Sequence, residues 1–233
     1  MKIRSDFSRK EIVRPGEVEW VASPQPGVDR LMLDRIGEEI ARATSLVRFA
    51  PGTSFPFHEH GGGEEIFVLE GMLEDEHGIY PAGTYIRDPV GTAHRPFTKD
   101  GCLLFVKLWQ FAAGDTTRVV IDTRAGAWLS RGPIGPATRL LHEFDGEVTS
   151  LMYFPPGVQL EHHVHDMGQE LLILEGTFSD ADGDYPKGSW VRFPVGSAHA
   201  PYSTSGCTLM AKAVHFPVPD ALHALGSQMA API

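Results

Sequence analysis

The chain has 233 residues and a formal net charge of −10, with 42% hydrophobic and 21% charged residues. This composition is typical of a globular protein and excludes a disordered or fibrous chain. The negative charge disfavours nucleic acid as a direct partner. Two cysteines cannot build a disulfide framework, and the sequence shows neither a secretory signal nor an apolar run of about 18 residues. We therefore expect a cytoplasmic protein with no membrane partner.

The predicted elements are mostly short strands that end at turn residues. Residues 37–42 are expected to form a turn of helix, whereas 66–69 and 83–87 are rich in β-branched and aromatic residues and predict strands. A second helical turn is expected at 219–225. The 25 glycines and 18 prolines also favour short strands over long helices. The sequence thus predicts an all-β fold of the sandwich or double-sheet jelly-roll kind.

The chain contains an internal repeat. Residues 49–111 align with 154–216 at a constant offset of 105 without a gap, and 27 of the 63 positions are identical. A repeat of this length predicts two copies of one structural unit. No linker rich in Pro, Gly or Ser separates the copies, so we expect two tightly packed domains at 1–115 and 116–233.

Six of the eleven histidines fall at matched positions in the two copies. His58, His60 and His94 in the first correspond to His163, His165 and His199 in the second. Residues i and i+2 of a strand share a face, so the H-x-H pairs point the same way. In the first copy a glycine turn then lets Glu64 on the returning strand reach the same point. The spacing therefore predicts that three imidazoles and one carboxylate converge on a metal ion.

The two composite motifs resemble the signatures of the cupin superfamily. The segment 51–108 is similar to the cupin sensor domain of the anti-sigma factor ChrR, and 155–212 resembles it as well. The resemblance covers nearly the whole chain. It implies a bicupin, which is a chain of two tandem cupin domains, each a double-stranded β-helix or jelly roll.

The resemblance also implies the ligands and the cofactor. In the first copy the ligands would be His58, His60, Glu64 and His94. The second copy keeps the three histidines, but Gln169 stands where the carboxylate belongs. A neutral amide oxygen can coordinate a metal, so a weakened or empty second site is the alternative. We expect up to one divalent ion per domain, zinc or iron in the first place and manganese or nickel as further options.

Two functions of different classes remain open at this point, and the resemblance to ChrR favours the first over the second. The first is a regulatory, stress-sensing protein of the ChrR kind that acts through a protein partner. The residues before the first cupin unit contain no Cys or His, so the resemblance does not extend to the sigma-binding domain. The second is a non-haem dioxygenase that cleaves C–C bonds of small diketones or hydroxyacetophenones. A small apolar ligand or substrate suits both functions, and a homodimer is compatible with both.

Several other recurrent residues receive a structural interpretation. Arg87 and Arg192 are expected to form architectural ion pairs with Asp75 and Asp180. The two cysteines, Cys102 and Cys207, are expected to be small buried apolar groups. Aromatic and aliphatic residues are expected to line the two pockets. They are Phe55, Phe67, Phe97 and Phe105 in the first copy and Leu160, Leu172, Tyr202 and Met210 in the second.

Overall fold

The computed structural model describes residues 1–130, 132 and 135–214. These residues form strands and turns and no helix, which confirms the all-β prediction. The helical turn expected at 37–42 is wrong, because two long strands there form a hairpin that turns at Gly37, whose φ is 121°. The turn expected at 219–225 lies outside the described residues. No helix of the described part of the chain could cross a membrane.

The described strands are numbered in chain order. The strands up to residue 122 are β1 (Lys2–Ile3), β2 (Glu11–Val13), β3 (Val21–Ala22), β4 (Val28–Gly37), β5 (Ala41–Phe49), β6 (His58–Glu59), β7 (Glu64–Asp75), β8 (Gly78–Pro81), β9 (Thr84–Asp88), β10 (Ala93–His94), β11 (Cys102–Leu108) and β12 (Val119–Asp122). The later strands are β13 (Leu129–Ser130), β14 (Ala137–Phe144), β15 (Glu147–Phe154), β16 (Val158–Gln159), β17 (His163–Val164), β18 (Gly168–Asp180), β19 (Gly183–Pro186), β20 (Trp190–Phe193), β21 (Ala198–His199), β22 (Tyr202–Ser203) and β23 (Cys207–Val214).

The chain folds into two compact units whose membership differs from a division at residue 115. The first unit contains Met1–Ser5 and Glu19–Ala125, and the second contains Asp6–Val18 and the described residues from Gly126 onward. Strand β2 therefore belongs to the second unit, where it pairs with β20. Strand β12 belongs to the first unit, where it pairs with β9. Each unit is completed by an N-terminal strand from the other sequence repeat.

The first unit is built on one large antiparallel sheet. Its strand order is β1-β4-β5-β11-β7-β9-β12, with β3 on β4 and β8 on β7, and a separate ribbon pairs β10 with β6. Alternate residues of the long strands face a buried apolar core. The core residues are Val28, Phe49, Ile66, Val68, Leu73, Tyr80, Ile86, Cys102, Leu104 and Val106.

The second unit repeats this arrangement. Its sheet order is β13-β14-β15-β23-β18-β20-β2, and a ribbon pairs β17 with β21. Its core residues are Phe154, Leu171, Ile173, Phe178, Tyr185, Val191, Phe193, Cys207, Leu209 and Ala211. The equivalent pairings in both units confirm that the sequence repeat is a repeat of structure.

A motif glycine is required inside one long strand of each unit. Gly71 in β7 and Gly176 in β18 have φ values of 72° and 71°. A Cβ atom on either residue would collide with a backbone carbonyl oxygen, that of Gly101 in the first unit and Gly206 in the second. Only glycine accepts both the left-handed φ and this close approach. These glycines therefore let the strand bend and continue on both sides.

Candidate metal centres

The first candidate centre lies where the β6/β10 ribbon meets the start of β7. Residue His58 is in β6 and is paired directly with His94 in β10, and His60 follows two residues after His58. Residue Glu64 is the first residue of β7, after a turn of three glycines. Since β6 is extended, His58 and His60 point to one side, and the turn returns Glu64 to that side. The structure thus brings together the four residues named from the sequence.

The donor atoms of these four residues converge on one point. All four lie within 4.8 Å of one another. The Oε2 atom of Glu64 lies 3.2 Å from His60 Nε2 and 3.3 Å from His94 Nε2. Donors bound to one ion at about 2.1 Å are separated by about 3.0 to 3.4 Å, so these separations suit a shared metal.

Three of these donor atoms are buried without a hydrogen-bond partner. They are His60 Nε2, Glu64 Oε2 and His94 Nε2. Buried polar atoms are almost always satisfied, so three orphaned atoms that face one point call for an additional group there. A divalent metal ion fits this donor set, because imidazoles and a carboxylate suit zinc, iron, manganese and nickel.

Each imidazole of the centre is held by an oxygen on its Nδ1 side. His58 Nδ1 lies 2.9 Å from the carbonyl of Pro56, and His94 Nδ1 lies 3.0 Å from Asp75 Oδ2. His60 Nδ1 lies 2.9 Å from the hydroxyl of Thr92, which itself donates to a carbonyl at 2.7 Å and so accepts from the ring. All three oxygens accept a hydrogen bond, so in the neutral form of each ring Nδ1 carries the proton and Nε2 offers the lone pair that a metal requires.

Burial and charge set the protonation of this centre. Burial alone would raise the pKa of Glu64, but contacts with His60 and His94 lower it below the usual range. Burial opposes charge on His94, yet the carboxylates of Glu64 and Asp75 raise its pKa to about 9. In the metal-free protein the raised pKa of His94 favours a proton on this imidazole, which lies between the carboxylates of Glu64 and Asp75. A metal ion that binds here must displace that proton.

Aromatic side chains cover the glycine turn beside the centre. A Cβ atom at Gly62 would collide with the indole of Trp109, and one at Gly63 would collide with the ring of Phe111. The absence of side chains lets both rings lie directly on the turn backbone. This packing fixes the backbone of the turn between His60 and Glu64, and the turn positions both side chains to reach one ion.

The centre opens into a cavity of about 360 Å³ in the first unit. The walls are largely apolar, with Phe55, Ile66, Leu104 and Val106 among the lining residues. A cavity of this volume suits a small organic molecule next to the metal position.

The expected pocket residues are only partly correct. Phe55 lines the cavity, whereas Phe67, Phe97 and Phe105 do not. Phe67 and Phe105 lie one residue away from lining residues, and alternation turns them to the other face of the sheet. In the second unit Leu160 packs against the core, while Leu172 and Met210 alternate with core residues.

The second candidate centre repeats the three histidines. The donor atoms of His163, His165 and His199 lie within 4.8 Å of one another, and His163 is paired with His199 in the β17/β21 ribbon. Gln169 occupies the ladder position of Glu64, because it pairs with Phe193 and Ala213 just as Glu64 pairs with the residues 105 positions earlier. The ring-centroid separations of 5.0, 5.0 and 4.9 Å match the 5.1, 4.9 and 4.7 Å of the first centre.

The electrostatics of the second centre differ from those of the first. Burial, followed by the neighbouring His199 and His163, lowers the pKa of His165 to about 4. This imidazole is therefore neutral at physiological pH. Asp180 lies 3.3 Å from His199 Nδ1, and contacts with His199, Tyr185 and Lys10 overcome burial to lower its pKa. The second centre thus keeps the carboxylate that contacts a histidine Nδ1 atom, Asp180, but lacks a carboxylate at the position of Glu64 among the donor atoms.

Arg87 forms a buried ion pair, as expected of an architectural residue, but the partners predicted for Arg87 and Arg192 are wrong. Asp75 and Asp180 hold His94 and His199 instead. Arg87 contacts Asp115 at 2.5 Å and stacks 3.9 Å above the ring of Phe111, while Arg192 stacks 4.4 Å above Phe7. Both aspartates recur at matched positions of the repeat, and this recurrence was the sequence signal that could have indicated their role beside the histidines.

Cys102 and Cys207 are buried and free, and burial raises the pKa of each thiol to about 11, as expected of structural groups.

Two units of antiparallel strands, each with a histidine cluster beside a motif glutamate or glutamine, define a bicupin. The chain belongs to the ChrR Cupin-like domain family, which matches residues 8–112 and 116–217. This match confirms the resemblance inferred from the motifs. No curated protein matches the chain.

Solved structures with similar folds are distant in sequence. A proposed dioxygenase from Nostoc punctiforme is 14% identical with a TM-score of 0.75, over 89% of this chain and 83% of that one. The nickel(II) complex of the pirin YhhW from Escherichia coli is 14% identical with a TM-score of 0.67, over 90% and 100%. A variant of oxalate decarboxylase from Bacillus subtilis is 11% identical with a TM-score of 0.60, over 89% and 78%. At these identities the similarity shows the fold alone.

Replacing Asp75 with asparagine tests the outer carboxylate. Asp75→Asn keeps an acceptor for His94 Nδ1 but removes the charge, so we expect the first centre to bind metal about 10- to 100-fold more weakly. Titration against a chromophoric chelator measures this change. The matched control is Glu76→Gln, because Glu76 is an adjacent exposed carboxylate that binds the backbone of Arg95. Equal affinities for the two variants would contradict the assigned role.

The same variant tests the sign of the pH dependence. The pKa of His94 is raised from 6.5 to about 9, so the imidazolium pairing stabilises the metal-free protein below pH 6.5 and is lost as the pH rises through 9. Metal affinity should therefore rise across this window, by up to about tenfold per pH unit for one displaced proton. Asp75→Asn should flatten that rise, since it removes one of the two charges that raise the pKa.

Proposed function

We propose that the first unit is a non-haem metal-dependent dioxygenase that cleaves a C–C bond of a small diketone. The observation that carries the proposal is the opening of the four-donor centre into the 360 Å³ cavity. A purely structural zinc site is closed by its four protein ligands. Here the same atoms lie at the wall of a space that can hold a substrate. A protein of the same fold, from Nostoc punctiforme, is described as a proposed dioxygenase.

The residues of the chain have distinct roles in this proposal. His58, His60, Glu64 and His94 would hold the metal, which would supply Lewis-acid polarisation of a substrate carbonyl when bound. The apolar part of the cavity wall, which includes Phe55, Ile66 and Leu104, would contact the substrate carbons and limit the access of water to them.

The proposed reaction balances with dioxygen as the only co-substrate. One dioxygen molecule adds both of its oxygen atoms to the diketone, and the bond between the central carbon and one carbonyl carbon breaks. The products are one carboxylic acid and one 2-oxoaldehyde or 1,2-diketone. The substrate carbons supply all the electrons that dioxygen accepts, so no external reductant is required.

Oxygen uptake tests this function directly. The iron(II)-loaded protein is expected to consume one dioxygen per pentane-2,4-dione, with release of acetate. Glu64→Ala should abolish the uptake, whereas His165→Ala should leave it unchanged because it alters the second centre only. No uptake by the iron, manganese and nickel forms, with this diketone and with 2′-hydroxyacetophenone, would contradict the proposal.

A regulatory role is the second candidate, and membership of the ChrR Cupin-like family favours it. In this role the cavity binds a small molecule without turnover, and the occupied unit binds a protein partner. The net charge of −10 implies that such control acts through a protein and not through direct DNA contact. A bound diketone that is recovered unchanged after incubation with the iron(II) form and dioxygen would support this candidate over the enzyme.

A further inference from the structure

A row of residues across the sheet connects the metal position to an arginine. Arg35 in β4 pairs with Ala43 in β5, Ala43 pairs with Leu108 in β11, and Leu108 pairs with Glu64 in β7. Residues directly opposite one another share a face of the sheet, and all four line the cavity. Three strand spacings separate the Cα atoms of Arg35 and Glu64 by about 14 Å. The arginine and the metal position thus lie at two ends of one cavity.

Arg35 is a buried cation without a carboxylate in ion-pair contact in the described part of the chain. The residue is 5% exposed, and its guanidinium donates to the backbone carbonyl of Glu38. No carboxylate among the described residues lies within ion-pair distance of it. The side chain of Glu38 is paired with the N-terminus, and Glu39 lies 3.8 Å from Arg30. Burial and the charge of Arg30 lower the pKa of Arg35, and the carboxylates of Glu39 and Glu38 offset this effect only in part.

The cavity wall between Arg35 and the metal position, called the floor below, consists of short or apolar side chains of β5 and β11. Ala41, Ala43 and Ser45 lie on β5 between the arginine and the metal position, and Leu108 and Val106 lie on the neighbouring strand. Short side chains on β5 leave room above the sheet. A molecule that lies on this floor can therefore reach the guanidinium with one end and the metal with the other.

We propose that Arg35 is the carboxylate receptor of the cavity, and that the substrate is a small organic acid whose carboxylate is separated from its diketone by a short aliphatic segment. A buried guanidinium with free N–H groups binds a carboxylate through two parallel hydrogen bonds. The diketone then lies at the metal, and the aliphatic carbons contact Ala43 and Val106. This assignment of the substrate class rests on the proposed function of the same centre.

The second unit provides an internal comparison. The row equivalent to that of Arg35 runs from Glu143 through Val148 and Ala213 to Gln169. The arginine is replaced by a carboxylate and the metal-binding carboxylate by an amide. The carboxylate receptor and the complete donor set are therefore found together in the first unit and are both missing from the equivalent row of the second.

A matched pair of ligands tests the proposal by binding alone. The probes are 4,6-dioxoheptanoate and heptane-2,4-dione, which have the same carbon chain and differ by one carboxylate. Isothermal titration of the zinc-loaded full chain is expected to show about 10- to 100-fold tighter binding of the acid. Metal analysis after dialysis confirms that neither diketone has removed the ion. Arg35→Gln should reduce the acid's affinity to that of the neutral diketone and leave the neutral diketone unchanged.

Control variants test whether the effect is specific to Arg35 and independent of folding. Arg48→Gln removes an exposed arginine of β5 that pairs with Asp29, and it should leave both affinities unchanged. Arg35→Gln removes a buried charge that has no ion-pair partner among the described residues, so we expect its melting temperature not to fall. An unchanged melting temperature then shows that a loss of binding does not result from unfolding. If Arg35→Gln fails to fold, Arg35→Lys replaces it and should retain part of the preference.

The outcomes are distinct. If the protein prefers the acid through Arg35 but its iron(II) form takes up no oxygen, the proposed dioxygenase function is refuted and the proposed carboxylate-binding role of Arg35 stands. Equal affinities of the wild type for the acid and the neutral diketone would overturn the receptor. Binding of inorganic phosphate as tight as that of the acid would also overturn it, because the site would then be a general anion site.

Discussion

Replacing His94 with alanine is expected to remove the metal from the first unit. The variant loses one of four donors and leaves Glu64 and Asp75 as two buried carboxylates without their shared cation. We expect a loss of affinity greater than about 100-fold, since even outer residues of a metal site contribute about 10- to 100-fold. Elemental analysis after dialysis against buffer without chelator measures the change. The experiment is made in a His165→Ala background, so that the second centre does not contribute.

His77→Ala is the matched control for this loss. The ring of His77 is exposed, and its Nε2 atom lies 3.2 Å from the carbonyl of Ala93, the residue before His94. His77 itself is outside the donor cluster. The control should keep its metal. A wild-type protein with less than about 0.2 metal per chain, and a His94→Ala variant with the same content, would refute the first centre.

Replacing Gln169 with glutamate is expected to strengthen the second centre by at least about tenfold. The introduced carboxylate adds the formal charge that the first centre has and the second lacks. It would also lie beside His165, whose pKa is about 4 in the native protein, and would raise that pKa. Protons should therefore compete with metal nearer to neutral pH in the variant. Competition titration in a His60→Ala background isolates the second centre.

The reciprocal exchange is the control. Glu64→Gln in a His165→Ala background gives the first centre the donor set of the second, and it should weaken binding by a similar factor. Equal native affinities of the two centres, or no change in Gln169→Glu, would show that the residue at this ladder position is not a ligand.

The sequence by itself determined the class of the fold and the histidine clusters. The offset of 105 between two similar segments required two copies of one unit. The H-x-H pairs share a face because alternation along a strand is a local property of the extended backbone. The turn of three glycines returns the chain over a few residues, so the approach of Glu64 to His60 is also local.

Only the tertiary structure decided how the strands are distributed between the units. The sequence repeats suggested a division near residue 115, yet β2 and β12 each pair with strands of the other repeat. Nothing within a short edge strand specifies its partner, because backbone hydrogen bonds are the same for every strand. The pairing is decided by which exposed edge it can reach in the folded chain.

The outer residues of the centre were likewise decided by tertiary contacts. Asp75 and Arg87 recur together in both repeats, and charge alone pairs them. In the structure Asp75 accepts from His94, and Asp115 takes the place beside Arg87. These partners are 19 and 28 residues apart and meet through the paths of separate strands, which periodicity does not describe.

The place of Arg35 in the cavity depends on a bulge. Arg30 and Arg35 are five residues apart, so strict alternation would put them on opposite faces of β4. An irregularity between Met32 and Asp34 shifts the register by one residue, and both arginines line the cavity. A bulge inserts one extra residue against its partner strand and changes which face the later residues occupy. That choice depends on the pairing with β5 and is not encoded in the alternation of β4 alone.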